Sequence, residues 1–78
     1  MSDTLYLMQR RPVRSTSLKA VGYEAATQTL EIEYRHGGLV RYAGVPAAIH
    51  AALLQLPNKA LFVEQVLERG YEREQVRG

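Results

Sequence analysis

Between Leu30 and Pro46 the chain reads LEIEYRHGGLVRYAGVP, with apolar and polar positions alternating on either side of a His-Gly-Gly. Leu30, Ile32 and Tyr34 share one parity and Glu31, Glu33 and Arg35 the other, which is the period of a half-buried strand over Thr29 to Arg35. Leu39 to Tyr42 makes another, with Val40 and Tyr42 on one face and Leu39 and Arg41 on the opposite one. A two-residue turn at Gly37-Gly38 would set Tyr34 opposite Arg41 and bring an arginine beside Ile32. A three-residue loop of His36, Gly37 and Gly38 instead pairs Tyr34 with Val40, Ile32 with Tyr42 and Glu33 with Arg41. It keeps the apolar side chains together, and a glycine takes the left-handed position such a loop needs. The pattern therefore predicts this register, with Tyr34 and Tyr42 on the core face and Glu33–Arg41 as a cross-strand ion pair.

Upstream, SLKAVGYE (Ser17 to Glu24) reads as a first strand of imperfect period, since Leu18 and Ala20 share one parity and Val21 and Tyr23 the other. A bulge at Gly22 would let Leu18 and Val21 both point inward. Downstream, VPAAIHAALLQL reads as a helix with Pro46 at its first position, an inward stripe of Ile49, Ala52, Leu53 and Leu56, and Pro57 as its stop. NKALFVEQVLERG reads as a second helix, capped by Asn58 and ended at Gly70, with Phe62, Val63, Val66 and Leu67 as its apolar face. Residues 1–12 form a leader in which TLYLMQ alternates only weakly, and residues 72–78 a polar tail, with Tyr71 folding back onto the core. The expected fold is α+β: a three-stranded antiparallel sheet followed by two C-terminal helices packed on one face, all within residues 13–71. The expected core is Leu30, Ile32, Val40, Tyr42, Ile49, Leu53, Phe62 and Val66.

Length and composition narrow the chemistry. The chain has 78 residues, 46% of them hydrophobic, and no cysteine. That is one small domain with an ordinary core and neither disulfides nor thiolate metal sites. No apolar run approaches the ~20 residues of a membrane span. The MSDTLYLMQRR start puts its apolar patch before its arginines, the reverse of a signal peptide, so a cytoplasmic protein is expected.

The histidines, His36 in a turn and His50 on a helix, have no metal-site spacing and read as a solvated and a boundary side chain. Ser15, Thr16 and Ser17 have no adjacent base and read as a loop bonding its own backbone. The glycines of HGG open a strand, not a helix, so they are turn residues and not a phosphate cradle. Neither an enzyme nor a bound cofactor or metal is expected.

What remains is a surface. The net charge is only +2, but Met8 to Lys19 holds Arg10, Arg11, Arg14 and Lys19 without an acidic residue. Arginines beside aromatic side chains on strands are how many small β-rich modules hold RNA. The candidate nucleic-acid-binding residues are therefore Arg10, Arg11, Arg14, Lys19, Arg35 and Arg41, with Tyr23 as the stacking ring. Glu31 and Glu33 neutralise part of the strand charge, so the strand exterior by itself reads as a solvated face.

The order VRSTSLKAVGYE, LEIEY, a glycine turn, VRYAGVP and a last helix running F, V, GY resembles the KTSC domain, over Val13 to Tyr71. That family takes its name from the C-terminal extension of some lysyl-tRNA synthetases and also occurs as small free-standing bacterial proteins. It centres on a Tyr-x-Tyr, of which Tyr42 keeps the second tyrosine while Val40 stands at the first. LPNKALF lacks the serine and glycine the family places before its last aromatic residue, and His50 stands where tyrosine is common. The resemblance implies a domain whose proposed partner is RNA, by association with tRNA. The alternative is a protein-interaction module of the kind carried by phages and mobile elements. The two separate on geometry. An RNA binder needs its cations contiguous on one face, whereas an interaction module needs an apolar patch, for which Leu5, Tyr6, Leu7 and Met8 are the candidates.

Overall fold

The computed structural model describes residues 8–78. Five strands form one antiparallel sheet in the order β1-β2-β3-β4-β5: β1 (Arg10–Pro12), β2 (Leu18–Glu24), β3 (Thr29–Tyr34), β4 (Leu39–Tyr42) and β5 (Arg73–Arg77). Between β4 and β5 come α1 (Ala47–Gln55) and α2, which begins as Lys59–Phe62, widens into a π-helical stretch (Val63–Leu67) and closes with Glu68–Gly70. The fold class is α+β as expected, but the sheet has five strands, not three. The end of the leader is an edge strand, and so is the tail. Both are short and charged, and their residues are all exposed. Such strands carry no apolar alternation to read, and their charges protect an open edge from pairing with other chains.

Leu18, Val21, Leu30, Ile32, Val40, Tyr42, Val45, Leu53, Val63 and Leu67 form the buried core between the sheet and the helices. Ile49 and Phe62 pack at its margin, while the buried positions of α2 are Lys59, Val63 and Leu67, not Val66. These three stand four residues apart, and the i→i+5 bonding of the π-helical stretch widens the turn enough to keep them in line. Lys59 is buried because its ammonium closes the end of α1, with Nζ donating to the carbonyls of Leu54 (3.1 Å) and Leu56 (2.6 Å). Asn58 caps α2 as expected, accepting the Leu61 N–H at 3.1 Å. Pro46 sits one position earlier than expected, as the cap itself, and its carbonyl accepts from Ile49 and His50.

Two registers differ from the expectation. In β2 the irregularity lies between Leu18 and Ala20, so the bulged residue is Lys19, and Gly22 is regularly paired with Arg10 on one side and Glu31 on the other. The expected consequence still holds: Leu18 and Val21 both face inward and are buried. In the β3–β4 hairpin Leu30 pairs with Tyr42, Glu31 with Arg41, Ile32 with Val40 and Glu33 with Leu39.

The three-residue loop is Arg35-His36-Gly37, one residue earlier than expected. Tyr34 N–H bonds the Gly38 carbonyl at 2.8 Å, Gly37 N–H bonds the Tyr34 carbonyl at 2.9 Å, and Gly37 takes the left-handed position at φ 106°. Both frames end the loop on a glycine and keep the same faces. The observed one also lays the His36 ring over Gly38, where a Cβ would stand 2.5 Å from His36 Cε1.

Candidate nucleic-acid interface

The face of the sheet turned away from the helices carries one continuous cross-strand row. Arg10 is opposite Gly22, Gly22 opposite Glu31, Glu31 opposite Arg41, and Arg41 opposite Glu74. Gly22 is the clearance in this row. A Cβ there would meet Arg10 Cγ and the Gln9 carbonyl at 3.1 Å and Met8 Sδ at 3.0 Å, so glycine gives the Arg10 side chain room to cross β2 and reach β3 that any larger residue would crowd.

Arg10 Nη1 donates to Glu31 Oε1 and Arg41 Nε donates to Oε2 at 2.7 Å, leaving Glu31 only 1% exposed on the outer face of the sheet. The hydrogen bond from Arg10 to Glu31 pushes the guanidinium pKa above its ordinary value. Glu33 is held from both edges, by Arg10 Nε at 3.3 Å and by Arg77 Nη2 at 3.1 Å. The two edge strands are thus clamped to the middle of the sheet by their own arginines. The Glu33–Arg41 pair expected from the sequence is replaced by Glu31–Arg41.

The candidate cations separate accordingly. Arg10 and Arg41 are bound to carboxylates. Arg11 has the opposite parity to Arg10, lies opposite Val21 and so leaves the group. Arg14 is exposed in the β1–β2 connection. Lys19, turned outward by the bulge, and Arg35 come together with Arg10 around a depression of about 470 Å³, in which Glu33 is the one carboxylate among the described residues. Neither Lys19 nor Arg35 has a carboxylate partner among the described residues. Arg35 is oriented by the backbone, its Nε donating to the Ser15 carbonyl at 2.8 Å.

Tyr23 is on the inner face. Its hydroxyl donates to the Val45 carbonyl at 2.5 Å and its ring stacks on His50 at 4.6 Å, so its hydroxyl is engaged and one ring face is covered. Burial pushes the His50 pKa down.

Other residues that shape this region escaped the sequence reading. Arg77, from the tail, donates through Nε to the Gly37 carbonyl at 2.7 Å and steadies the hairpin loop. On the inner face the buried Tyr42 hydroxyl donates to Glu68 Oε2, and Arg73 Nε meets the same carboxylate oxygen at 2.9 Å. This joins α2 to β4 and β5, and burial raises the Tyr42 pKa well above its usual range. Burial also raises the Tyr34 pKa. Leu5, Tyr6 and Leu7 lie outside the described residues, and Met8 is half-buried beside Gly22.

Comparison with known proteins matches residues 14–71 to the model of the KTSC domain. The chain belongs to the KTSC domain family. A KTSC domain protein from Yersinia pestis, known from a crystal structure, superposes with a TM-score of 0.83 at 30% identity, covering 88% of this chain and 97% of that one. An uncharacterised protein of Stutzerimonas stutzeri (strain A1501) is 35% identical over 66 residues, 85% of this chain and 93% of its own.

In this KTSC domain the two edge strands lie outside the residues that match the family model. Val40, at the first tyrosine position of the motif, is a core residue opposite Ile32 and 2% exposed. Tyr42, at the second, pins a helix to the sheet. Both positions therefore serve packing in this member. Among the described residues no helix is long and apolar enough to cross a membrane.

Proposed function

We propose that this KTSC domain is a binding module that holds RNA, of which tRNA is one source, by its phosphate backbone in the depression around Lys19 and Arg35. The observation that carries this reading is the pairing pattern of the cations. Arg10, Arg41, Arg73 and Arg77 neutralise carboxylates, while Lys19 and Arg35 line one basic depression without doing so among the described residues. Phosphate contacts release counterions, so affinity must fall with salt. With Arg14 beside Ser15, about three contacts are within reach, which gives a log–log slope near ~−2 on single strands. Electrophoretic retardation of bulk tRNA across a salt series tests this. Binding at low salt with that shallow slope is expected, and no retardation well below physiological salt overturns the reading.

The second reading is a protein-interaction module. What favours it is the helical side, where Leu54, Leu56 and Leu61 are exposed at 44%, 38% and 44%. Leu56 and Leu61 border an apolar groove of about 240 Å³ between the end of α1 and α2. This groove is an apolar surface that such a module would use.

A further inference from the structure

The tyrosines and the phenylalanine among the described residues lie in the core or pack against it, and His50 stacks on Tyr23. A nucleic acid lying on the outer face therefore meets charge and no ring. His36 differs. It is exposed at the apex of the β3–β4 hairpin, yet its ring stacks on Tyr34 and bonds the backbone.

One face stacks on Tyr34, with centroids 5.4 Å apart and planes 11° from parallel. Nδ1 accepts the Gly38 N–H at 3.2 Å, which leaves Nε2 as the protonated nitrogen of the neutral ring. Any side chain at Gly38 would collide with the ring, and Gly37 supplies the left-handed turn that carries it. The loop itself is held on both flanks, by Arg35 on the Ser15 carbonyl and by Arg77 on the Gly37 carbonyl. A solvated turn histidine needs none of this support. An exposed planar ring backed by a second ring and bonded to the backbone, in a loop flanked by arginines, is what an unpaired nucleobase stacks on.

We propose that His36 is a base-stacking residue, and that the hairpin apex takes one unpaired nucleobase on the outer side of the His36–Tyr34 stack. This rests on the nucleic-acid reading and adds to it the side chain that contacts a base and the requirement for an unpaired one. Arg35 precedes His36 directly, with Cα atoms about 3.8 Å apart, so a strand draped over the apex can set a base on His36 and its phosphate at Arg35 and Lys19. A duplex, whose bases are stacked on each other, offers nothing to this ring.

The test uses a short single-stranded RNA containing 2-aminopurine, whose fluorescence falls on stacking, together with inorganic polyphosphate as a base-free polyanion. The unaltered protein is expected to quench the probe. His36→Ala should abolish the quenching and weaken RNA binding about five- to tenfold while binding polyphosphate unchanged. His36→Phe should restore both, and melting curves of the two variants show whether the loop change has spread to the fold. Quenching and RNA affinity unchanged in His36→Ala overturn the base-stacking role and leave the backbone reading standing. Equal binding of RNA and polyphosphate without quenching does the same. Failure of the unaltered protein to bind either polymer overturns both.

Discussion

Replacing Glu31 with glutamine separates a buried clamp from a solvated charged face. The carboxylate is 1% exposed and accepts from Arg10 and Arg41, whose side chains are 31% and 20% exposed. Glutamine keeps the shape and one acceptor oxygen, removes the charge and turns an NH2 group toward an arginine donor. Hydrogen bonds to charged groups contribute ~1.5–3 kcal/mol each, and both arginines can turn partly to water, so the net cost is ~2–3 kcal/mol. A domain of this size has roughly 4–12 kcal/mol in all. At about 4–8 °C per kcal/mol for a chain of this length, the thermal midpoint should fall by roughly 10–20 °C.

Glu33→Gln is the internal control. Glu33 is more exposed, at 18%, and its arginine contacts are longer, at 3.1 and 3.3 Å, so its loss should cost under ~1 kcal/mol. Thermal unfolding followed by circular dichroism measures both. A Glu31→Gln midpoint within the scatter of the unaltered protein, or no lower than that of Glu33→Gln, would refute the clamp and return the outer face to an ordinary solvated surface.

Leu67→Ala should cost ~2–5 kcal/mol and Val66→Ala under ~1 kcal/mol by denaturant unfolding, because Leu67 is fully buried and Val66 stands at the edge. Burial raises the Tyr42 pKa from its ordinary 10.0, so the native state keeps a proton that the unfolded chain releases. That contribution is complete below pH 10 and is lost as pH rises above it, so stability should decline in alkaline titration and decline less steeply in Tyr42→Phe. At neutral pH Tyr42→Phe should itself cost ~1–2 kcal/mol through the lost bond to Glu68, read as a lowered midpoint.

The middle of this fold was legible because packing wrote it into the sequence. Leu30, Ile32, Val40 and Tyr42 alternate because one face of β3 and β4 is buried, and Asn58 announces a helix because its side chain serves the backbone locally. β1 and β5 left no such trace, since Arg10 and Arg77 are held by Glu31, Glu33 and the Gly37 carbonyl, groups distant in the chain that only the finished sheet brings near. The hairpin frame could not be chosen from its glycines because both frames end on one; the ring of His36 over Gly38 distinguishes them. A glycine within a strand marks a bulge or a close approach: the expected bulge lies at Lys19 instead, and Gly22 makes room for the Arg10 side chain.

For the candidate site, charge alone named Arg10, Arg11, Arg14, Lys19, Arg35 and Arg41. Which of them neutralise carboxylates depends on the register of Glu31, and the register came from the fold.

The most direct test of the backbone-binding account is an amide chemical-shift titration of the isotope-labelled chain with single-stranded RNA at low salt. Perturbations should cluster at Lys19, Ala20, Arg35, His36 and Gly37 and fade as salt is added. Perturbations confined to the groove formed by Leu56, Leu61, Phe62 and Val66, or none at RNA concentrations that retard the protein, would contradict it.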